Sequence, residues 1–147
     1  MPRLLVVHHT PSPALQTVLE AVKEGVAMVE EAELVLRPAL SAGAADLLDC
    51  DGVLLGTPAN IGYMSGALKH FFDTVYYPCL DATVGRPFAA YLHGNDDTMG
   101  GERALERIVT GLRWRAVAPV QVVVGAPSRE DLDGAEELGA RMAAWLE

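Results

Sequence analysis

The sequence predicts an α/β fold: a doubly wound parallel sheet of five strands in the order 2-1-3-4-5, with helices on both faces. Three observations lead there. Five short apolar runs alternate along the chain with segments of helical period. The runs are nearly unbroken rather than alternating with polar residues, as strands are when helices cover both sides of a sheet. No linker, repeat or low-complexity tract interrupts the alternation, so residues 1–147 read as a single domain of ordinary size.

Leu4–His8 forms the first expected strand. Behind it, Ser12-Pro13 reads as an N-cap with proline at the first helical position, where its missing N–H costs least. Leu15, Val18, Leu19, Val22 and Val26 then mark one helix face. Leu34–Leu36 is a short second strand suited to a sheet edge, and a weak helix at Ala44–Leu48 leads to the third strand, Val53–Gly56. After it Ser65 opens a helix with Leu68, Phe71, Phe72 and Val75 on one side. Phe88–His93 is the fourth strand, followed by a helix bearing Leu105, Ile108, Val109 and Leu112. Val120–Val124 is the fifth, and the last helix carries Leu132, Leu138, Met142, Trp145 and Leu146. Of the two common doubly wound orders, five strands favour 2-1-3-4-5, which sets the ligand crevice above strands one, three and four.

Composition narrows the function. Half of the residues are hydrophobic, which excludes a disordered chain. Twenty acidic against eleven basic side chains leave a net charge of −9, which argues against nucleic acid and against anionic membrane surfaces. That charge is compatible with a basic protein partner and equally with simple solubility. Cys50 and Cys79 show neither a CxxC nor a metal spacing, the N-terminal apolar run is too short for a signal peptide, and no run approaches transmembrane length. A cytoplasmic protein with free thiols is expected.

The three most unusual segments, Thr10–Pro13, Thr57–Met64 and Gly94–Gly101, follow strands one, three and four and so fall at one end of the sheet. In the first, the hydroxyls of Thr10 and Ser12 with the amides of Ala14 and Leu15 could hold a phosphate at the positive end of the helix dipole; an ordinary Ser-Pro helix start is the alternative. The second is longer than a minimal connection of about 2–6 residues and suits a flat ligand. The third is polar and glycine-rich, without positive charge, and suits the edge of a heterocycle better than a phosphate. Signatures of a hydrolase elbow, a P-loop and a dinucleotide fingerprint are missing. His8 and His9 should point to opposite faces of the sheet, which disfavours a shared metal ion, and no covalent nucleophile with an evident base can be named.

The stretch GTPANIGYMSGALKHFFD, from Gly56 to Asp73, resembles a signature of flavodoxin-like FMN-binding proteins, in particular the branch of quinone reductases and small FMN reductases. GRPFAAYLHGNDDTMGGERALERI and VVVGAPSREDLDGAEELGARMAAWL resemble later parts of the same family, so the likeness spans nearly the whole chain. It implies a flavodoxin-like fold and noncovalent FMN. Carried over residue by residue, Thr10, Ser12, Ala14 and Leu15 would grip the phosphate. Pro58, Ala59, Asn60, Ile61, Gly62, Tyr63 and Met64 would line the isoalloxazine, while His93, Gly94, Asn95, Gly100 and Gly101 would close over its other edge. The family's first turn usually has a glycine where Pro13 stands and a third hydroxyl near Ala14 or Leu15. Losing two hydrogen bonds of about 0.5–1.5 kcal/mol each predicts FMN bound roughly ten-fold to several hundred-fold more weakly.

Two activities follow from the resemblance. One is an FMN-dependent oxidoreductase passing electrons from NADPH or NADH to a quinone or other small acceptor. The other is an electron carrier docking a redox partner protein through its acidic surface. A domain that has lost tight flavin binding is a third, and either a monomer or a homo-oligomer is compatible with all of them.

Overall fold

A computed structural model describes residues 1–147. The strands are β1 (Arg3–His8), β2 (Glu33–Pro38), β3 (Gly52–Asn60), β4 (Tyr63–Met64), β5 (Pro87–Gly94), β6 (Arg115–Ala116) and β7 (Gln121–Val124). Between them run α1 (Pro13–Ala27), a 3-10 turn at Ala39–Ser41, α2 (Ala44–Leu48), α3 (Gly66–Cys79), α4 (Met99–Gly111) and α5 (Arg129–Trp145). The parallel sheet is ordered β2-β1-β3-β5, and β6 and β7 both pair with β5 on its far side. This is the expected order, with β7 in the place of the expected fifth strand. β4 and β6 are two-residue additions to the five expected strands, and Pro119, whose nitrogen has no hydrogen to give a ladder, separates β6 from β7. No helix is long and apolar enough to cross a membrane.

Residues directly paired across a sheet project to the same face. Leu4 and Val6 of β1, Leu54 of β3 and Ala89 and Tyr91 of β5 therefore meet α1 and α5 on one face. Leu5 and Val7, Val53 and Leu55, and Phe88, Ala90 and Leu92 meet the helices α2, α3 and α4 on the other. Both faces are sealed, which explains the unbroken apolar runs. Ser12, Ser65 and Ser128 each cap a helix with the side-chain oxygen, the first two as expected from the sequence.

Glycines set the closest approaches. A Cβ at Gly25 of α1 would stand 1.9 Å from the Glu136 carbonyl oxygen, and one at Gly139 of α5 would stand 2.2 Å from that of Val22. The two helices thus touch backbone to backbone, a distance that no residue with a side chain permits.

Candidate functional site

Because β1, β3 and β5 are neighbours, the turns that leave them meet at one end of the sheet. The His9 amide donates to the Gly56 carbonyl at 3.0 Å, carrying the β1–β3 ladder one residue beyond β1. Pro58 lies opposite His93. A Cβ at Gly94 would stand 2.9 Å from Thr98 Cγ2 and 3.3 Å from the Ala59 Cβ, so β3 and the turn after β5 close on each other there.

The middle segment differs from the open loop expected over Thr57–Met64. β3 runs on to Asn60 and reverses into β4, with Ala59 paired to Met64 and Asn60 to Tyr63. Ile61 and Gly62 form the turn with φ of 50° and 74°, the left-handed pair of a type I′ hairpin. Glycine suits that geometry. A β-branched residue does not, and Ile61 carries a strain of about 1–3 kcal/mol with its side chain fully exposed.

Contacts on two sides hold the hairpin in place. The Ser65 amide donates to Thr57 Oγ1 at 3.0 Å, and the Thr57 hydroxyl donates to the Pro58 carbonyl at 2.8 Å. From the other side α4 brings its first turn against the hairpin backbone. A Cβ at Gly100 would stand 1.9 Å from the Gly62 carbonyl oxygen, and one at Gly101 3.3 Å from that of Tyr63. The space expected for a ligand beside these two glycines is therefore taken up by the hairpin.

The expected site residues divide accordingly. Asn60, Ile61, Gly62, Tyr63 and Asn95 are exposed at the crevice end, and Thr10, Ser12, Ala14 and Ala59 are partly exposed there. Met64 corrects the expectation: its side chain is buried in the core beneath the hairpin, because the strand alternation turns it inward. Pro58 and Gly94 are buried as well. The His93 ring is buried and its Nε2 bonds to the Gly125 carbonyl at 2.8 Å. A carbonyl only accepts, so Nε2 carries the proton, and the imidazole ties β5 to the turn after β7 rather than meeting a ligand edge.

In the first turn, Ser12 Oγ accepts from the Leu15 amide at 3.2 Å, so that amide is not free as expected. The Ala14 amide has no helical partner, and the Ser12 hydroxyl keeps its hydrogen to donate. Both lie at the positive end of α1. Thr10 Oγ1 lies 2.6 Å from Nδ1 of His8. Burial, then the charges of His9 and Lys23, lower the His8 pKa, so the ring is mainly neutral at pH 7.

Three ring groups escaped the sequence reading. His8 and His9 registered only as unsuitable metal ligands, and Tyr91 only as part of an apolar strand. His9 Nδ1 is buried without a partner, as is the hydroxyl of Tyr91. For the two histidines the signal available in the sequence was their place at the end of β1; Tyr91 lies within β5, in the core beneath α1 and α5, and carried no such signal. By contrast the molecule's largest groove, about 350 Å³ between α1 and α5, is lined by Glu20, Glu24, Asp133 and Glu136 against Arg129 alone, which repels a phosphate.

A doubly wound sheet in this order, with three turns gathered over its central strands, defines the flavodoxin-like class of α/β proteins. Two solved structures share the fold. The WrbA-like flavodoxin of Agrobacterium tumefaciens superposes with a TM-score of 0.78 over 99% of this chain and 98% of its own, at 21% identity. Oxidised Flavodoxin 1 of Bacillus cereus superposes with a TM-score of 0.82 over 99% of each chain, at 18% identity. In sequence, a flavodoxin of Aquifex aeolicus is 28% identical over 99% of this chain and 88% of its own. The model of the NADPH-dependent FMN reductase family matches residues 26–128. The chain belongs to that family, whose cofactor is FMN.

The donor set fits this cofactor. The first turn offers hydroxyls and an amide rather than cations, a neutral cradle of the kind that binds phosphate at a helix start. His9 Nδ1 is an orphaned buried polar atom beside it, free to pair with a ligand hydroxyl. The two prolines of the turn, Pro11 and Pro13, remove two amides that another sequence would supply.

Proposed function

We propose that this chain, acting as one domain in the cytoplasm, is an FMN-dependent oxidoreductase that takes electrons from NADPH or NADH and passes them to a quinone or other small acceptor. The observation that carries the reading is the convergence of the turns after β1, β3 and β5, with the I′ hairpin fixed by the Ser65–Thr57 bond on one side and the first turn of α4 on the other. In this reading Thr10, Ser12 and the Ala14 amide hold the phosphate. Ala59, Asn60, Ile61, Gly62 and Tyr63 lie along the isoalloxazine, Asn95 approaches its other edge, and His93, Gly94, Gly100 and Gly101 support these contacts from behind. Bound FMN supplies hydride acceptance and electron transfer; the chain supplies position and electrostatics. The description of the matching family, NADPH-dependent FMN reductase, supports a nicotinamide donor.

A carrier role is the second reading. It is favoured by the net charge of −9, which would steer basic partners, and by the likeness to the Aquifex aeolicus flavodoxin along nearly the whole chain. Titrating the purified protein with FMN, then adding NADPH without oxygen, separates the two. Bleaching of the flavin absorbance by NADPH at a catalytic rate supports the reductase. Inertness to NADPH and NADH, with two well-separated one-electron potentials, supports the carrier, and failure to bind FMN removes both.

A further inference from the structure

On β1, β3 and β5, His8 pairs with Gly56 and Gly56 with Tyr91, so all three project to the α1–α5 face in one row. Gly56 leaves its place in that row empty, and the Tyr91 ring fills it. A Cβ at Gly56 would stand 2.1 Å from the ring's Cζ and 2.2 Å from its hydroxyl oxygen. The phenol thus reaches across β3 toward β1, where His8 stands one strand spacing away, about 4.8 Å. Tyr91 is 1% exposed, and its hydroxyl has no partner within the protein. Such an orphan costs about 1–3 kcal/mol unless something accepts its hydrogen.

His8 supplies an acceptor only in one of its two neutral forms. Its Nδ1 lies 2.6 Å from Thr10 Oγ1, so one proton sits between them. If Thr10 donates it, the outward side of that hydroxyl presents only lone pairs, which repel a phosphate dianion. If Nδ1 donates it, the Thr10 hydrogen is free to point outward, and Nε2 becomes a bare acceptor. A phenol brought over Gly56 is the donor that this second form requires, reaching Nε2 through one bridging water, because no protein atom accepts its hydrogen directly. Burial pushes the Tyr91 pKa far above the ordinary phenol range, which keeps the hydroxyl protonated and donating.

We propose that Tyr91 and His8 form a positioning relay that holds Thr10 as a hydrogen-bond donor to the phosphate of the bound mononucleotide. The relay rests on the FMN reading above. It gives the first turn a fixed donor where Pro11 and Pro13 have removed two amides. Neither His8 nor Tyr91 is among the residues assigned to the isoalloxazine in that reading, so the relay is expected to act on the phosphate end.

The test compares FMN with riboflavin, which lacks the phosphate, by fluorescence titration of the full chain. His8→Leu is expected to weaken FMN roughly ten-fold, the loss of one charge-assisted hydrogen bond, while riboflavin affinity changes less than two-fold. His8→Asn, whose amide N–H can replace Nδ1–H toward Thr10, should recover most of the loss. Tyr91→Phe should lower the FMN-to-riboflavin preference several-fold, because it removes the donor that holds His8 Nε2 as an acceptor, while riboflavin affinity stays within two-fold of wild type. Nitrogen NMR of the His8 ring should show the Nδ1–H form in wild type. An unchanged FMN-to-riboflavin ratio in His8→Leu, or a ring protonated at Nε2 instead, would overturn the relay while leaving FMN binding intact. Wild-type protein that binds neither flavin would overturn the reading beneath it.

Discussion

Two places in this molecule bring backbone against backbone at glycine, and they do opposite work. In the α1–α5 crossing, Gly25 and Gly139 let two long helices meet along a buried seam with ordinary helical geometry on both sides. At the crevice, Gly100 lets α4 press on a two-residue turn whose first member, Ile61, is held in the left-handed region with its side chain in solvent. Only the second combines close packing with strain. Strain of that kind persists where the surroundings over-determine it and collects at ligand clamps. The comparison separates glycines that build the fold from glycines that shape a site.

The largest expected effect tests the first half of that contrast. Gly139→Val should cost about 3 kcal/mol or more, because its side chain would meet a carbonyl in a rigid helix, and urea denaturation should show a lower midpoint or no folded protein. Gly100→Ala strikes the hairpin instead. A loss of about 1–3 kcal/mol is expected, with FMN affinity falling more than ten-fold by titration; unaltered affinity would mean that the hairpin's position is immaterial to the ligand.

A gain is expected from Ile61→Asn. Asparagine tolerates left-handed φ, so thermal denaturation should show a stabilisation of about 1 kcal/mol. If FMN weakens at the same time, Ile61 packs on the flavin; if it does not, the residue is strained without benefit to binding.

The smallest effect concerns acid. His8 takes up its proton at lower pH in the folded chain than unfolded. Its contribution to stability is therefore complete above about pH 6.5, falls as pH drops through that value, and levels off once the folded ring is also charged. Denaturation midpoints of wild type and His8→Asn across this range should diverge only below it.

Much of the fold was legible because parallel strands sealed on both faces must be apolar throughout, and the runs at Leu4–His8, Val53–Gly56 and Phe88–His93 each fall inside an observed strand. The crevice was legible too, since strand order dictates which turns adjoin. Its details were not. Nothing local marks Asn60-Ile61-Gly62-Tyr63 as a I′ hairpin, for that turn favours asparagine or glycine where Ile61 stands. Once β3 continues to Asn60, the two-residue alternation turns Met64 inward, and a loop reading could not register that. The pairing of His8 with Thr10, and the reach of Tyr91 over Gly56, depend on register between three strands distant in sequence.

The split of the outermost strand into Arg115–Ala116 and Gln121–Val124 also bears on how the molecule behaves at high concentration. An uninterrupted border of free amides and carbonyls is a template on which a neighbouring copy can add its own border, the first step toward ordered aggregates. On this side of the sheet the border is broken by a proline-bearing segment after only two residues, so its longest continuous stretch is four residues, against six along β2 on the opposite side. Replacing Pro119 with a strand-forming residue would remove that safeguard.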